Sequence, residues 1–312
     1  MNSAAPSAAA PSRAHRGTIH LEQGRILQRS TYAGQQQVLR IAAPLTARHA
    51  TPGSFVHLRC TPRLAMRRPL SIMRAAPDAG WIELLFKVVG AGTAALATQE
   101  VGAELSLLGP IGNGFTLRPE RPRVVAIGGG VGIPPMVFLA ERLLTDSRAA
   151  WKPLVLMGSE IPFPFHARPS RILVPAAPAD VIACMPLLEE WGVPSRLASN
   201  AGYAGCYQGH VTDLAAHWLR ALSPAELAEV SLYACGPGPM LTAAARLAGT
   251  LGLPCQVALE EYMACAVGGC AGCAVEVHTS KGRTMQRVCV DGPVFDAASV
   301  FPGGIQAGRC TA

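Results

Sequence analysis

The chain has 312 residues, half of them apolar and 15% charged, a balance that excludes disorder over most of its length and leaves room for two or three domains. Its net charge of +7 comes mostly from scattered arginines with no block of basic residues, so nucleic acid is not an expected partner. No run of about 18 apolar residues occurs, which argues against a membrane-spanning helix.

The first sixteen residues, MNSAAPSAAAPSRAHR, are rich in Ala, Ser and Pro and lack the contiguous apolar stretch of a secretory signal, so they read as a disordered tail on a cytoplasmic protein. From Gly17 to Leu117 the signals are those of short strands, GTIHLEQGRILQRS, QQQVLRIAAP, GSFVHLRC and WIELLFKVVG, separated by Gly, Pro and Asn or Asp turns. That spacing argues for a small β-barrel or sandwich, interrupted by the short helical stretch ALATQE. At Arg123 the texture changes to RVVAIGGGVGIPPMVFLAERLL, a buried strand, a glycine turn and an apolar-periodic helix, which opens a parallel α/β domain. KPLVLMGS and SRILVPA continue it as strands, ACMPLLEEWG and VTDLAAHWLRAL as helices, and VSLYACGPGPMLTAAARLAGTLG as strand, turn and helix. From Pro254 a last glycine-rich unit follows.

That unit holds CAVGGCAGC, in which Cys265, Cys270 and Cys273 are separated by four and two residues, and Cys289 follows after fifteen intervening residues. Plant-type [2Fe–2S] ligation has the same C-x4-C-x2-C spacing followed by a distant cysteine. Gly268, Gly269, Ala271 and Gly272 let the backbone approach a compact anionic cluster and turn N–H groups toward its sulfurs. Zinc is the main competitor, although structural zinc sites usually present two short ligand pairs rather than a triplet and a single residue. Inert reduced thiols are the remaining alternative.

Two glycine turns each follow a strand and open a helix, the position at which backbone N–H groups receive a pyrophosphate. The first, GGGVGIPP, contributes Gly128, Gly129, Gly130 and Gly132 as candidates. Its G-x-G-x-x-G frame puts Ile133 at the third glycine, so it departs from the usual dinucleotide fingerprint. In the second, CGPGPM, the candidates are Cys235, Gly236 and Pro237.

Together RPLS, KVVGAGT, LGPIGNGF, GGGVGIPP, CGPGPM, the four-cysteine segment and VCVDGPVF resemble the ferredoxin–NADP reductase superfamily, and within it the electron transfer subunits of NAD-dependent dihydroorotate dehydrogenases. The resemblance covers nearly all of the chain from Gly17 to Ala298. It implies a multidomain β plus α/β protein: an FAD-binding β-barrel over residues 17–119, a Rossmann-like NAD-binding α/β domain over 120–253, and a small [2Fe–2S] domain over 254–312. By the same resemblance Arg68, Pro69, Leu70 and Ser71 line FAD, with the Arg68 guanidinium on its pyrophosphate and Ser71 near the reactive edge of the ring. Leu85, Phe86 and Lys87 contact the flavin nucleotide, while Gly92 and Thr93 offer N–H groups and a hydroxyl to phosphate.

Three places depart from the family pattern. Leu70 stands where the wider superfamily has a tyrosine, LASNAGYAGCYQG replaces the usual T-x-D-G-S-x-G-like segment, and MGSEIPFPFHARPS is unlike the common reductase stretch. The implied function is an electron-transfer subunit of pyrimidine biosynthesis, linking a dihydroorotate dehydrogenase catalytic subunit that carries FMN to NAD+ through its own cluster and FAD, in a heterotetramer of two subunit types. No side chain of this chain is expected to act as general acid or base. The same cofactors with another partner, as in hydrogenase- or glutamate synthase-like systems, and a non-catalytic redox or metal-binding regulator are the alternatives.

Overall fold

Strand alternation builds the first unit. Residues two apart share a face, and in WIELLFK this turns Ile82, Leu84 and Phe86 into one apolar core while Glu83 and Leu85 face outward. The computed structural model describes residues 18–305, so the tail expected over residues 1–16 lies outside the described residues. Six strands, β1 (His20–Tyr32), β2 (Gln36–Ala42), β3 (Phe55–Leu58), β4 (Arg68–Ala76), β5 (Trp81–Lys87) and β6 (Glu104–Ile111), close into a barrel in the order β1-β2-β5-β4-β3-β6. Neighbouring strands are antiparallel throughout, and closure leaves no unpaired edge. Two short helices, α1 (Pro44–His49) and α2 (Ala91–Ala97), fill the connections.

The second unit is a sheet with both faces buried, which is why β7 (Arg123–Gly129) reads as an unbroken apolar run. Val124 and Ala126 pack on α3 (Ile133–Thr145), whereas Val125 and Ile127 face the opposite core. The chain continues through β8 (Lys152–Gly158), β9 (Arg168–Pro169), β10 (Ala183–Cys184), α4 (Pro186–Glu190), β11 (Ser195–Ala198), α5 (Val211–Arg220), α6 (Pro224–Ala228), β12 (Val230–Cys235), α7 (Gly238–Leu251) and β13 (Cys255–Ala258). Next come β14 (Ala274–Thr279), β15 (Gly282–Arg287), β16 (Val294–Asp296) and α8 (Ala297–Val300). The sheet order is β11-β8-β7-β12-β13-β16, parallel except for β16. Helices α5 and α7 cover the face opposite α3.

Several sequence expectations need correction. SRILVPA is not a strand: Pro169, Pro175 and Pro178 punctuate it, Leu173 faces solvent, and the Ile172 carbonyl accepts from Arg196 Nη2 at 2.8 Å instead of a ladder N–H. ACMPLLEEWG splits into β10 and a one-turn helix, because Pro186 can start a helix but cannot sit inside one. The boundary before residue 254 also shifts. β13 pairs with β12, and β16 returns to pair with β13, so the cysteine segment is an excursion from the parallel sheet rather than a unit appended after it.

Two contacts fix the barrel against the sheet. Arg74 of β4 reaches Glu141 of α3 at 2.7 Å and Glu83 of β5 at 3.7 Å, with its guanidinium 5.0 Å from the Trp191 ring. Gln36 Nε2 donates to the Pro162 carbonyl at 2.7 Å. No helix among the described residues is long and apolar enough to cross a membrane.

Candidate functional site

The cysteine segment folds as a tight loop ahead of the β14–β15 hairpin. Ala266, Gly268 and Ala271 hold left-handed φ values of 56°, 80° and 54°, which small residues tolerate and branched ones do not. This winding turns main-chain N–H groups onto sulfur: Cys270 donates to Cys265 Sγ and Gly272 to Cys270 Sγ, each at 3.4 Å. Burial works to raise the Cys265 thiol, but the N–H groups of Val267, Cys270 and Gly269 and the thiol of Cys270 bring it below its ordinary value. Cys289 is pushed up, first by burial and then by Cys273, which faces it. Cys265 and Cys270 thus adjoin at the loop, and Cys289 feels both Cys273 and Cys265.

Two bridged irons take four thiolates, and four cysteines with N–H groups turned onto sulfur are a donor set that fits them. Cys273 and Cys289 lie in an apolar core with Met263, Val277, Val288 and Phe295, joined from the barrel by Phe55 and Ile111.

On the barrel, β4 places Ser71 opposite Phe55 and Pro69 opposite His57 of β3. Leu70 turns toward the barrel interior, where it packs on the core. Arg68 lies across Gly92, where an added Cβ would come within 2.8 Å of its Nε, so only glycine leaves the guanidinium its place there. Such a cradle fits an anionic group between strand and loop. Three expectations change here. The Phe86 side chain is inside the barrel and Leu85 is buried against the α/β core, which leaves their main chain, and the half-buried Lys87, to meet a ligand. Thr93 is buried, and its hydroxyl accepts from Val89 and Gly90 N–H at 2.9 and 3.2 Å, so it shapes its own loop.

The two glycine turns meet at the carboxyl ends of β7 and β12, which pair in parallel with Gly128 opposite Cys235. Gly132 touches the Cys235–Gly236 backbone and Gly129 the Met240 side chain, while Gly130 and Gly238 face open space. Burial pushes the Cys235 thiol up to about 12, with Glu260 adding to it, so this cysteine is a neutral thiol. Beyond them, at the ends of β8 and β11, lies a cavity of about 420 Å³ lined by Tyr32, Phe163, Phe165, His166, Tyr203 and Cys206. It joins the two stretches that depart from the family pattern, with the Phe163 and Tyr203 rings 6.4 Å apart at their centroids.

Residues 260–301, which include all four cysteines, match the family described as the iron-sulfur cluster binding domain of dihydroorotate dehydrogenase B. The chain is 32% identical over 286 residues to the dihydroorotate dehydrogenase B (NAD(+)) electron transfer subunit of Shouchella clausii, covering 89% of this chain and 98% of that one. It is 33% identical over 260 residues to the subunit of the same name from Desulforamulus reducens, covering 83% and 89%. The chain belongs to the dihydroorotate dehydrogenase B electron transfer subunit family.

Solved structures share the fold. An NADH-dependent reduced ferredoxin-NADP oxidoreductase, described for flavin-based electron bifurcation, superposes with a TM-score of 0.71 at 24% identity, over 92% of this chain and 94% of that one. The ferredoxin reductase of carbazole 1,9a-dioxygenase gives 0.58 at 19% identity, over 76% and 67%. Around the cysteine segment the structure gathers residues that the sequence did not mark. Phe55 and His57 sat unmarked in a strand, and Asn113 lay inside LGPIGNGF, quoted as a motif without a role. An asparagine between Gly112 and Gly114, a turn residue whose side-chain amide readily bonds main chain, was the available signal.

Proposed function

We propose that this chain passes electrons between a dihydroorotate-oxidising, FMN-bearing partner and NAD+, by way of its own [2Fe–2S] cluster and FAD, as one component of a heterotetramer with two subunit types. The observation that carries the reading is the sharing of one apolar core by Cys273, Cys289 and Phe55, whose cross-strand neighbour is Ser71 on the strand assigned to flavin. When bound, the flavin exchanges a hydride with nicotinamide and single electrons with the cluster, which reconciles two-electron and one-electron donors.

In this reading Cys265, Cys270, Cys273 and Cys289 hold the cluster. Arg68 holds the FAD pyrophosphate over Gly92, Pro69 and Ser71 face the ring, and the main chain of Leu85 to Lys87 lines its nucleotide. Removing a charged hydrogen bond of this kind costs about 2 kcal/mol, so Arg68→Leu weakens FAD retention roughly 30-fold. Equilibrium dialysis against free FAD measures it, and retention equal to that of the unmodified chain removes Arg68 from the site.

The glycine turns at Gly128–Gly132 and Cys235–Pro237 receive the pyridine nucleotide at the carboxyl edge of the sheet, where open α/β sheets bind their ligands. From β12 across β7 and β8 to β11 is three strand spacings, about 14 Å, a span suited to an extended dinucleotide. The aromatic cavity then takes its adenine end. Tyr203→Ala removes about 1 kcal/mol of ring packing and raises KM for NADH roughly fivefold with kcat nearly unchanged. An unaltered KM in steady-state assays places the adenine elsewhere.

The direct test of the whole reading is anaerobic purification of the full chain followed by NADH. A flavin spectrum bleached by NADH and a paramagnetic signal on reduction support it. Absence of flavin, or a flavin that NADH does not reduce, overturns it. Co-purification of a dihydroorotate dehydrogenase catalytic chain identifies the partner, whereas recovery of a hydrogenase- or glutamate synthase-like chain selects the alternative.

A further inference from the structure

The barrel grips the cysteine segment at both ends, through residues that neither flavin nor nucleotide binding requires. At the Cys289 end the turn after β6 is the holder. Asn113 N–H donates to the Gly292 carbonyl at 2.6 Å, and its side-chain Nδ2 donates to the carbonyls of Val290 at 3.3 Å and Asp291 at 3.0 Å. Val290 and Asp291 are the two residues that follow Cys289 directly. At the other end β3 is the holder. Phe55 and His57, two apart and so on one face, both turn to the segment. Phe55 packs with Met263, two residues ahead of Cys265, and with Cys273 and Cys289, and the His57 ring on the same face is 1% exposed.

The same strand borders the flavin side. Phe55 is registered with Ser71 and His57 with Pro69, so β4 lies one strand spacing, about 4.8 Å, from the strand that touches the cluster core. The distance between the two redox groups is therefore set by how firmly the cysteine segment is held to β3 and to the end of β6. On the Cys289 side, Asn113 makes the side-chain bonds of that hold. Its amide supplies two donors to two carbonyls, whereas a carboxylate of the same shape has none and sets charge against both.

We propose that Asn113 is a positioning residue for electron transfer between cluster and flavin: its side-chain amide anchors the two carbonyls after Cys289 to the barrel and thereby fixes the gap an electron crosses. The inference rests on the FAD and [2Fe–2S] reading above. In the step concerned one electron leaves the reduced flavin and one iron(III) becomes iron(II), the hydride having come from NADH with release of NAD+. Asn113 touches neither group and leaves the hydride step alone.

The test uses the full chain, purified anaerobically with both groups bound, as Asn113→Asp and Asn113→Ala. Rapid mixing with NADH separates flavin bleaching from the cluster bleaching that follows, and hydrogen exchange reports on residues 288–292. Flavin content, the rate of flavin bleaching, and the intensity and potential of the cluster signal stay at the values of the unmodified chain. The cluster step slows ~10-fold, the scale seen when outer partners of a metal site are removed, and the amides of residues 288–292 lose protection. A cluster step as fast as in the unmodified chain overturns the proposal, and so does a slowing matched by lost cluster or a shifted potential, since Asn113 would then serve assembly or tuning. An unmodified chain without flavin or cluster overturns the functional reading itself, a result distinguishable from either.

Discussion

Cys289→Ser and Cys270→Ser are both expected to abolish the iron–sulfur chromophore and its reduced-state paramagnetic signal, while flavin binding and NADH oxidation by ferricyanide persist. The reason is that the proposed ligand set loses one of its four thiolates, and a serine hydroxyl stays protonated where a cysteine ionises. The two variants differ in what else they do. Cys289 is 1% exposed in the core with Val277, Val288 and Phe295, so its replacement also buries a hydroxyl among apolar groups, at a cost of about 1–3 kcal/mol. Cys270 is exposed, and its replacement carries no such penalty. Apo-protein unfolding should therefore separate the variants, with only Cys289→Ser less stable, whereas spectra of the holo-protein treat them alike. Retention of the cluster in either variant shows that the ligand set is a different one. Unchanged spectra and iron content in both would return these residues to inert thiols.

The iron–sulfur domain was legible because cysteine spacing is a local property: three of the four proposed ligands lie within nine residues, and the loop between them is shaped by its own small side chains. The barrel and the parallel sheet were legible for a related reason, strand alternation in one and buried runs followed by glycine turns in the other. What stayed hidden depends on contacts far along the chain. Asn113 meets Val290 across 177 positions, and no pattern around either residue announces the partner. Leu85 and Phe86 illustrate a different limit. In WIELLFK the alternation sends Ile82, Leu84 and Phe86 into the barrel, but nothing local says that Leu85, on the face with Glu83 and Lys87, is covered by the sheet. The four-residue β11 was missed because Ser195–Ala198 is too short to show a period, and it is a strand only because β8 offers a ladder.

The glycine turns carry the second large effect, and the close approach between them decides it. A Cβ on Gly132 runs into the Cys235 carbonyl and comes within 2.6 Å of the Gly236 nitrogen, backbone atoms that cannot swing aside as a flexible side chain can. Overpacking of this sort costs about 3 kcal/mol or more, which lowers Tm by roughly 6–12 °C for a domain of this size. It also pushes apart the carboxyl ends of β7 and β12, the edge assigned to the pyridine nucleotide. Gly132→Ala is therefore expected to melt early and to lose reduction of its flavin by NADH, while the cluster, held by a segment beyond β13, still forms. Gly238→Ala is the contrast. Its Cβ enters open space and its φ is not left-handed, so the unfolded chain loses freedom and the fold loses nothing, a gain of about 0.4–1 kcal/mol. Thermal melts of the two variants beside the unmodified chain read out the difference directly. Equal melting temperatures would show that the two turns do not meet in solution, and the nucleotide edge built from their contact would have to be withdrawn.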